Sequence, residues 1–290
     1  MSVRLDLQRS IQQVYKYNRD GSFATQADRF HMLAQFAKDL VSGSYKLRDI
    51  RGLKQKHILA VVKSWQEKGL SNSTIKNRTA AIRNLCGKIN KSNIVPSNKQ
   101  MEIGNRRYTP KINRAIHNPD FAKISNTYIR ISLELQRVFG LRREESIKIK
   151  PIIADKGEKL ELLSSWCKGG RGRAIPIKTD EQRYWLEEAK KLVRNYDESL
   201  IPKHKTYIQQ RCVYDKQVLR AGLKNLHGLR HAYAQRRYKE LTSWDAPING
   251  GLISRKLTIN QKNIDHQVRL ILTEELGHSR EQITVNYLGR

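Results

Sequence analysis

The sequence predicts a mainly α-helical protein of two domains, the first all-helical and the second mixing helices with a small antiparallel sheet. Three observations carry this. Apolar residues recur at helical spacing through the first hundred positions. A stretch rich in Pro and Asn, with few large apolar residues, occupies 88–116. Beyond it, two short apolar clusters flank a glycine-rich turn. At 290 residues the chain is long enough for two cores of ordinary size.

Residues 25–42 place Phe30, Leu33, Phe36 and Leu40 on one helical face and end at the polar Ser42-Gly43-Ser44. Residues 54–68 do the same with Ile58, Val61, Val62 and Trp65, and Gly69 follows as a stop. Ser73 is the expected cap of a helix over 74–88, with Ile75, Ile82 and Leu85 or Cys86 inward. Its other side carries Lys76, Asn77, Arg78 and Arg83, either a solvated face or one that meets DNA. We place the domains at 1–105 and 118–290 with a linker at 106–117. In the second domain a helix is expected over 118–139, strands at 159–163 and 173–177, and helices at 180–195, 206–224, 228–241 and 264–276.

Charge narrows the partners. Fifty-six Lys and Arg against 27 Asp and Glu leave a net +29, far beyond what solubility requires. The excess is spread: residues 1–105 hold 19 basic and 7 acidic side chains, a net +12, which leaves +17 for the rest. Both halves are therefore expected to touch a polyanion, since each neutralised phosphate releases condensed counterions. A ribosomal or general nucleic-acid protein, or merely a basic surface, would satisfy charge alone. No apolar run is long enough to span a bilayer, and the first residues lack the apolar core of a secretory signal. Cys86, Cys167 and Cys212 show no zinc spacing, so neither a metal nor a disulfide framework is expected, and a reducing cytoplasm suits the chain.

Four segments of the second half matter together: Gly140-Leu141-Arg142-Arg143-Glu144-Glu145; Lys168-Gly169-Gly170-Arg171-Gly172-Arg173; His227-Gly228-Leu229-Arg230-His231; and Leu276-Gly277-His278, with Tyr287 nine residues on. Singly, each has a bland alternative. Arg142 could be one more basic residue at a helix end, and the glycine turn an ordinary hairpin without nucleotide-binding spacing. The histidines could be core or capping residues, and Tyr287 an aromatic anchor.

In this order and spacing the four segments resemble the catalytic domain of the tyrosine recombinase (phage integrase) family. That family shows Gly-Leu-Arg-x-x-Glu, a Gly-Lys-Gly hairpin with a later Arg, His-x-x-Arg-His, Leu-Gly-His and a following Tyr. Every key position is filled, with Cys167 where a glycine usually precedes the hairpin lysine. The resemblance covers residues 118–290, and more loosely 70–85, which is similar to the last helix region of the family's SAM-like core-binding domain.

The resemblance implies metal-free, cofactor-free cleavage and rejoining of DNA through a 3′-phosphotyrosine on Tyr287, integrating or excising a mobile element. It assigns phosphate gripping to Arg142 and Arg230, the general acid to Lys168, proton exchange with the nucleophile to His227, and a hydrogen bond to the phosphate to His278. Two guanidiniums suit that grip because charge-assisted, paired hydrogen bonds stabilise the developing charge. His231 and Arg173 are expected in support, and Glu145 as a structural partner. Expected DNA contacts are Lys76, Asn77, Arg78, Arg83 and Arg173. The partners implied are double-stranded recombination sites, a homotetramer on two synapsed sites with a monomer off DNA, and accessory bending or directionality proteins. No membrane is implied, and the location is the cytoplasm, at the nucleoid.

A topoisomerase-like relaxing activity and a DNA-binding regulator with an idle site are the other readings. A full set of six reactive residues argues against an idle site. Two departures stand out. The 48 residues from Arg230 to His278 are about twice the expected spacing, so 243–263 reads as an insertion containing a turn and an extra hairpin. Its Trp244, Ile248, Leu252 and Ile253 are candidate anchors on a neighbouring copy. Only Leu288-Gly289-Arg290 follow Tyr287, where the resemblance would carry the chain into another helix.

Overall fold

The computed structural model describes residues 2–106 and 108–290. The chain divides into two compact units, Met1–Arg107 and Tyr108–Arg290.

The first unit consists of α1 (Val3–Lys16), α2 (Phe23–Ser42), α3 (Gln55–Glu67) and α4 (Asn72–Lys88). Helix starts follow side-chain caps: Ser22 accepts from the Thr25 N–H, and Ser71 from the Thr74 N–H. Ser71 rather than Ser73 is thus the cap of α4, because its hydroxyl sits where the orphan N–H groups point. The amphipathic faces meet in a core built on Leu7, Phe36, Ile58, Trp65 and Ile82, all essentially buried. Trp65 keeps its polar atom satisfied by donating from Nε1 to Asp39, 2.7 Å away.

In the second unit α5 (Thr127–Phe139) starts at Asn126, whose side chain accepts from the Ile129 N–H. It begins later than expected because Asp120 folds the preceding residues into a turn, accepting from the Ala122 N–H. Two short helices, α6 (Arg143–Lys148) and α7 (Pro151–Ala154), lead into β1 (Lys159–Leu162). β1 pairs antiparallel with β2 (Arg173–Pro176) in the register Leu160↔Ile175 and Leu162↔Arg173. Then come α8 (Asp180–Lys191), α9 (Tyr207–Arg220), α10 (Gly228–Thr242), α11 (Ile259–Glu275) and α12 (Val285–Leu288). The main core gathers Phe139, Leu186, Tyr238, Leu272 and Leu288 between α5, α8, α10, α11 and α12. A smaller cluster around Leu133, Tyr214 and Leu229 seats α9.

The expected extra hairpin within 243–263 is absent: single 3-10 turns at Pro247–Asn249 and Ser254–Lys256 stand there, and α11 already begins at Ile259. Pro247 starts the first turn and Gly250, at φ 88°, ends it, so the chain reverses without strands. Trp244 and Ile248 pack on the unit's own core, and only Leu252 of the four candidate anchors is exposed.

Candidate active site

The site is assembled by the ends of helices. α5 stops at Gly140, whose φ of 63° favours glycine and whose added Cβ would lie 2.5 Å from the Tyr233 ring. That stop delivers Arg142 to the start of α6. Its backbone N–H donates to Glu145 Oε2 and its Nη1 to Oε1, each at 2.7 Å. Glu145 is wholly buried and also accepts two hydrogen bonds from Arg173, at 2.9 and 2.7 Å. Burial by itself would raise the Glu145 carboxyl. The Arg173 hydrogen bond and the charges of Arg173, Arg230 and Arg142 outweigh it and hold the group at about 2. Glu145 is therefore an anionic brace that aims two guanidiniums.

Arg230, on the first turn of α10, is 1% exposed. It donates from Nη1 to the Gly140 carbonyl at 2.6 Å and from Nη2 to the Leu276 carbonyl. It makes no ion pair, and the only carboxylate that acts on it, Glu145, is shared with Arg142 and Arg173. Burial, then neighbouring Arg142 and Arg173, lower it to about 10, still protonated at neutral pH. Gly228, one residue past His227, lies against the chain before α5: a Cβ there would sit 2.3 Å from the Arg114 carbonyl oxygen.

Tyr287 is 5% exposed, on α12. Its hydroxyl lies 3.1 Å from His278 Nε2 and accepts from Arg230 Nε at 3.4 Å. The His231 ring is 4.7 Å from the Tyr287 ring, and the His227 ring 6.2 Å. Burial, then Arg230 and Arg142, push His278 down to about 3; burial, then His227, take His231 to about 4. His227 is lowered as well, by desolvation first and then by Arg230, Arg142 and Arg114, although the residue as a whole is exposed. These imidazoles are neutral at pH 7 in the free protein. Three guanidiniums against one carboxylate then leave a positive recess at the phenol.

Arg142, His227, Arg230, His278 and Tyr287 thus converge, and Lys168 stands apart. It lies exposed on the turn before β2, where Gly169 and Gly170 take φ of 75° and 68°, and it makes no hydrogen bond or ion pair among the described residues. Cys167 beside it is buried with Sγ 3.5 Å from Arg173 Nη1. Arg173 itself does not face outward. Its side chain is 5% exposed, forks into Glu145 and donates to the Glu275 carbonyl at 2.7 Å, a brace rather than a free DNA contact.

On α4, Arg78 stacks 4.9 Å over the Trp65 ring and faces Asp39 at 3.7 Å. Arg83 donates to the Pro96 carbonyl and Asn98. Lys76 is half-buried and Asn77 exposed, accepting from Arg106.

Sequence reasoning missed the residues that hold the tyrosine backbone. Gln235 donates to the Tyr287 carbonyl at 2.9 Å, and Arg269 to Thr284 and to the Gly289 carbonyl, both at 3.2 Å. Neither a Gln nor an Arg on an otherwise polar helix carries a signal of that role.

The recess thus presents a tyrosine hydroxyl beside an excess of guanidinium charge, a setting that can accept an anionic oxygen. The comparisons with known proteins agree in fold and family. Residues 5–95 match the phage integrase N-terminal family, and 104–236 the integrase family. The chain belongs to the phage integrase, or tyrosine recombinase, family. The second match ends before His278 and Tyr287, which the geometry joins to the others.

Among solved structures, a lambda integrase dimer bound to a COC′ core site is similar at TM-score 0.58 and 16% identity, over 99% of this chain and 77% of that one. The Tn1549 transposon integrase in complex with transposon right end DNA gives 0.55 and 14%, over 100% and 95%. The XerH site-specific recombinase bound to palindromic difH substrate gives 0.56 and 18%, over 97% and 80%. A search of curated proteins by sequence returns no match. Among the described residues no helix is long and apolar enough to cross a membrane.

Proposed function

We propose that this chain is a site-specific DNA recombinase that integrates or excises a mobile element through a covalent 3′-phosphotyrosine at Tyr287. The observation that carries the reading is the Tyr287 hydroxyl lying 3.1 Å from His278 and 3.4 Å from the buried Arg230 guanidinium. A phosphodiester entering the recess would meet Arg142 and Arg230 on its non-bridging oxygens, where negative charge grows as the bond to the phenolic oxygen forms. The phenol proton passes to a neutral imidazole of the cluster, and the tyrosine oxygen displaces the 5′-oxygen. Lys168, on its glycine-flanked turn, swings in to protonate that oxygen. The phosphotyrosyl ester preserves the bond for attack by a 5′-hydroxyl of a second duplex. Charge stabilisation comes from the arginines, so the mechanism calls for no metal.

Both units contribute to binding in this reading, with Lys76 and Asn77 on the outer side of α4 at the DNA. Strand exchange takes four copies on two synapsed sites. The reading is supported by the family membership and by similarity to integrases solved with DNA, including a lambda integrase tetramer bound to a Holliday junction. The test is a two-site exchange assay with duplexes selected from a randomised pool by binding. Recombinant products and a Tyr287-dependent adduct are expected. Relaxation of supercoils without exchange would make the protein a relaxing enzyme, and binding without any adduct would make it a regulator.

A further inference from the structure

The insertion in the second unit touches the segment that carries Tyr287. Between α10 and α11, residues 244–251 close into a ring. Trp244 Nε1 donates to the Tyr238 hydroxyl at 3.1 Å, and the Gly251 N–H returns to the Ala246 carbonyl at 3.1 Å. A Cβ on Gly251 would strike the Asp245 carbonyl oxygen at 1.7 Å, so the ring closes only around glycine. One edge of the ring lies on the tyrosine segment: a Cβ on Gly289 would be 3.0 Å from the Ile248 nitrogen. The other edge is tied by side-chain amides. Asn249 accepts from Asn113 Nδ2, Asn113 Oδ1 accepts from Gln235 Nε2 at 2.8 Å, and that same Nε2 reaches the Tyr287 carbonyl at 2.9 Å.

We infer that this ring is an intramolecular clasp and that Asn113, Asn249 and Gln235 are positioning residues for Tyr287. The inference rests on the proposed role of Tyr287 as nucleophile. Gln235 can fix the tyrosine backbone only while its own amide is oriented. An amide has two ends, and Asn113 selects between them by accepting from Nε2 and donating to Oε1 at 3.3 Å. Asn249 in turn holds Asn113. The chain of three amides therefore starts on the insertion and ends on the peptide of the nucleophile. Asn113 lies near the start of the second unit, far in sequence from the insertion and from Tyr287. The insertion serves its own active site rather than a neighbouring copy.

Asn249 and Asn113 are both exposed, so exchanging them leaves the core intact. The experiment uses the full chain and a nicked suicide duplex at saturating concentration, with DNA affinity measured separately. Asn249→Leu, isosteric but unable to accept, is expected to slow adduct formation about tenfold or more with affinity unchanged. Asn249→Asp keeps the accepting oxygen and should restore the rate. Asn113→Ala should resemble Asn249→Leu. Equal rates for Asn249→Leu and the unaltered chain, or equal losses in Asn249→Leu and Asn249→Asp, would overturn the clasp. The unaltered chain and Tyr287→Phe run alongside. An adduct in the first and none in the second keeps the nucleophile reading standing whatever the Asn249 variants do. No adduct in the unaltered chain would remove that reading, and the clasp with it.

Discussion

Arg230 and Tyr287 lie 57 positions apart in the chain, yet the guanidinium Nε of one is 3.4 Å from the phenolic oxygen of the other. The same guanidinium holds the carbonyls of Gly140 and Leu276, so one buried side chain ties the end of α5, the end of α11 and the Tyr287 hydroxyl. Arg230 forms no ion pair of its own and shares the Glu145 charge with Arg142 and Arg173. That is unfavourable in the free protein and becomes favourable when a phosphate arrives.

Tyr287→Phe removes the reacting oxygen and little else. Binding should remain within about twofold, and stability should fall by roughly 1 kcal/mol or less, the worth of a long hydrogen bond. No covalent adduct should form on a nicked site, read by denaturing electrophoresis. A protein–DNA band that survives in this variant would remove Tyr287 from its proposed role.

For Lys168 the expected defect lies in the leaving group. Lys168→Ala should cleave an ordinary phosphodiester about a hundredfold more slowly, a usual loss for a general acid. A substrate with sulfur at the 5′-bridging position departs without a proton and should recover most of the rate. Equal defects on both substrates would leave Lys168 as a DNA contact on a glycine-rich turn.

The side chains that converge on Tyr287 were legible because the residue types and their order in the chain are distinctive. The small sheet was legible too, since Leu160, Leu162 and Ile175 flank a turn that only glycines complete. What could not be read depends on orientation. Ser71 and Ser73 are chemically alike as caps, and only the path of the chain gives the role to Ser71. Arg173 reads as a surface cation until Glu145 is found buried beneath it. The ring at 244–251 looked like a hairpin because Pro, Asn and Gly mark a reversal without saying whether strands flank it. Gln235 carries no periodic signal, because its value lies in a single contact with a distant peptide.

Glu145→Gln tests the brace. The carboxyl is held near 2 against an ordinary 4.5, a difference worth on the order of 3 kcal/mol in favour of the folded state at neutral pH. Removing the charge should lower the unfolding free energy by about that amount and leave Arg142 and Arg173 repelling each other. Affinity for DNA should hold or rise, since the recess gains positive charge, while cleavage falls about tenfold or more as Arg142 loses its aim. Unchanged stability by denaturant titration would show that the three arginines do not need this counter-charge.

Both units are strongly basic, so binding should draw on both. A fragment of residues 108–290 is expected to bind duplex DNA far more weakly than the whole chain. Its affinity should also change less steeply with salt, because fewer phosphates are neutralised. Matching affinity and slope for fragment and whole chain would confine the interface to the second unit.

The histidines give the last expectation its sign. His278 titrates at about 3 and His231 at about 4 in the folded protein, against 6.5 for a free imidazole. Below pH 6.5 the unfolded chain therefore binds protons that the folded chain refuses, and stability falls with pH from there down to the folded values. Glu145 adds to the loss in the same direction, between 4.5 and about 2. The melting temperature should be level above pH 7 and fall steadily from pH 6.5 to 5, and a His278→Asn, His231→Asn double variant should flatten that slope. DNA reverses the pressure on His278. Burial is the larger cause of the His278 shift, but a phosphate beside Arg142 and Arg230 offsets the repulsive part, so binding at acid pH, nearer the folded value, should take up protons. Calorimetry in two buffers of different ionisation enthalpy reads that uptake directly. Proton release, or none, would mean that His278 does not face the phosphate.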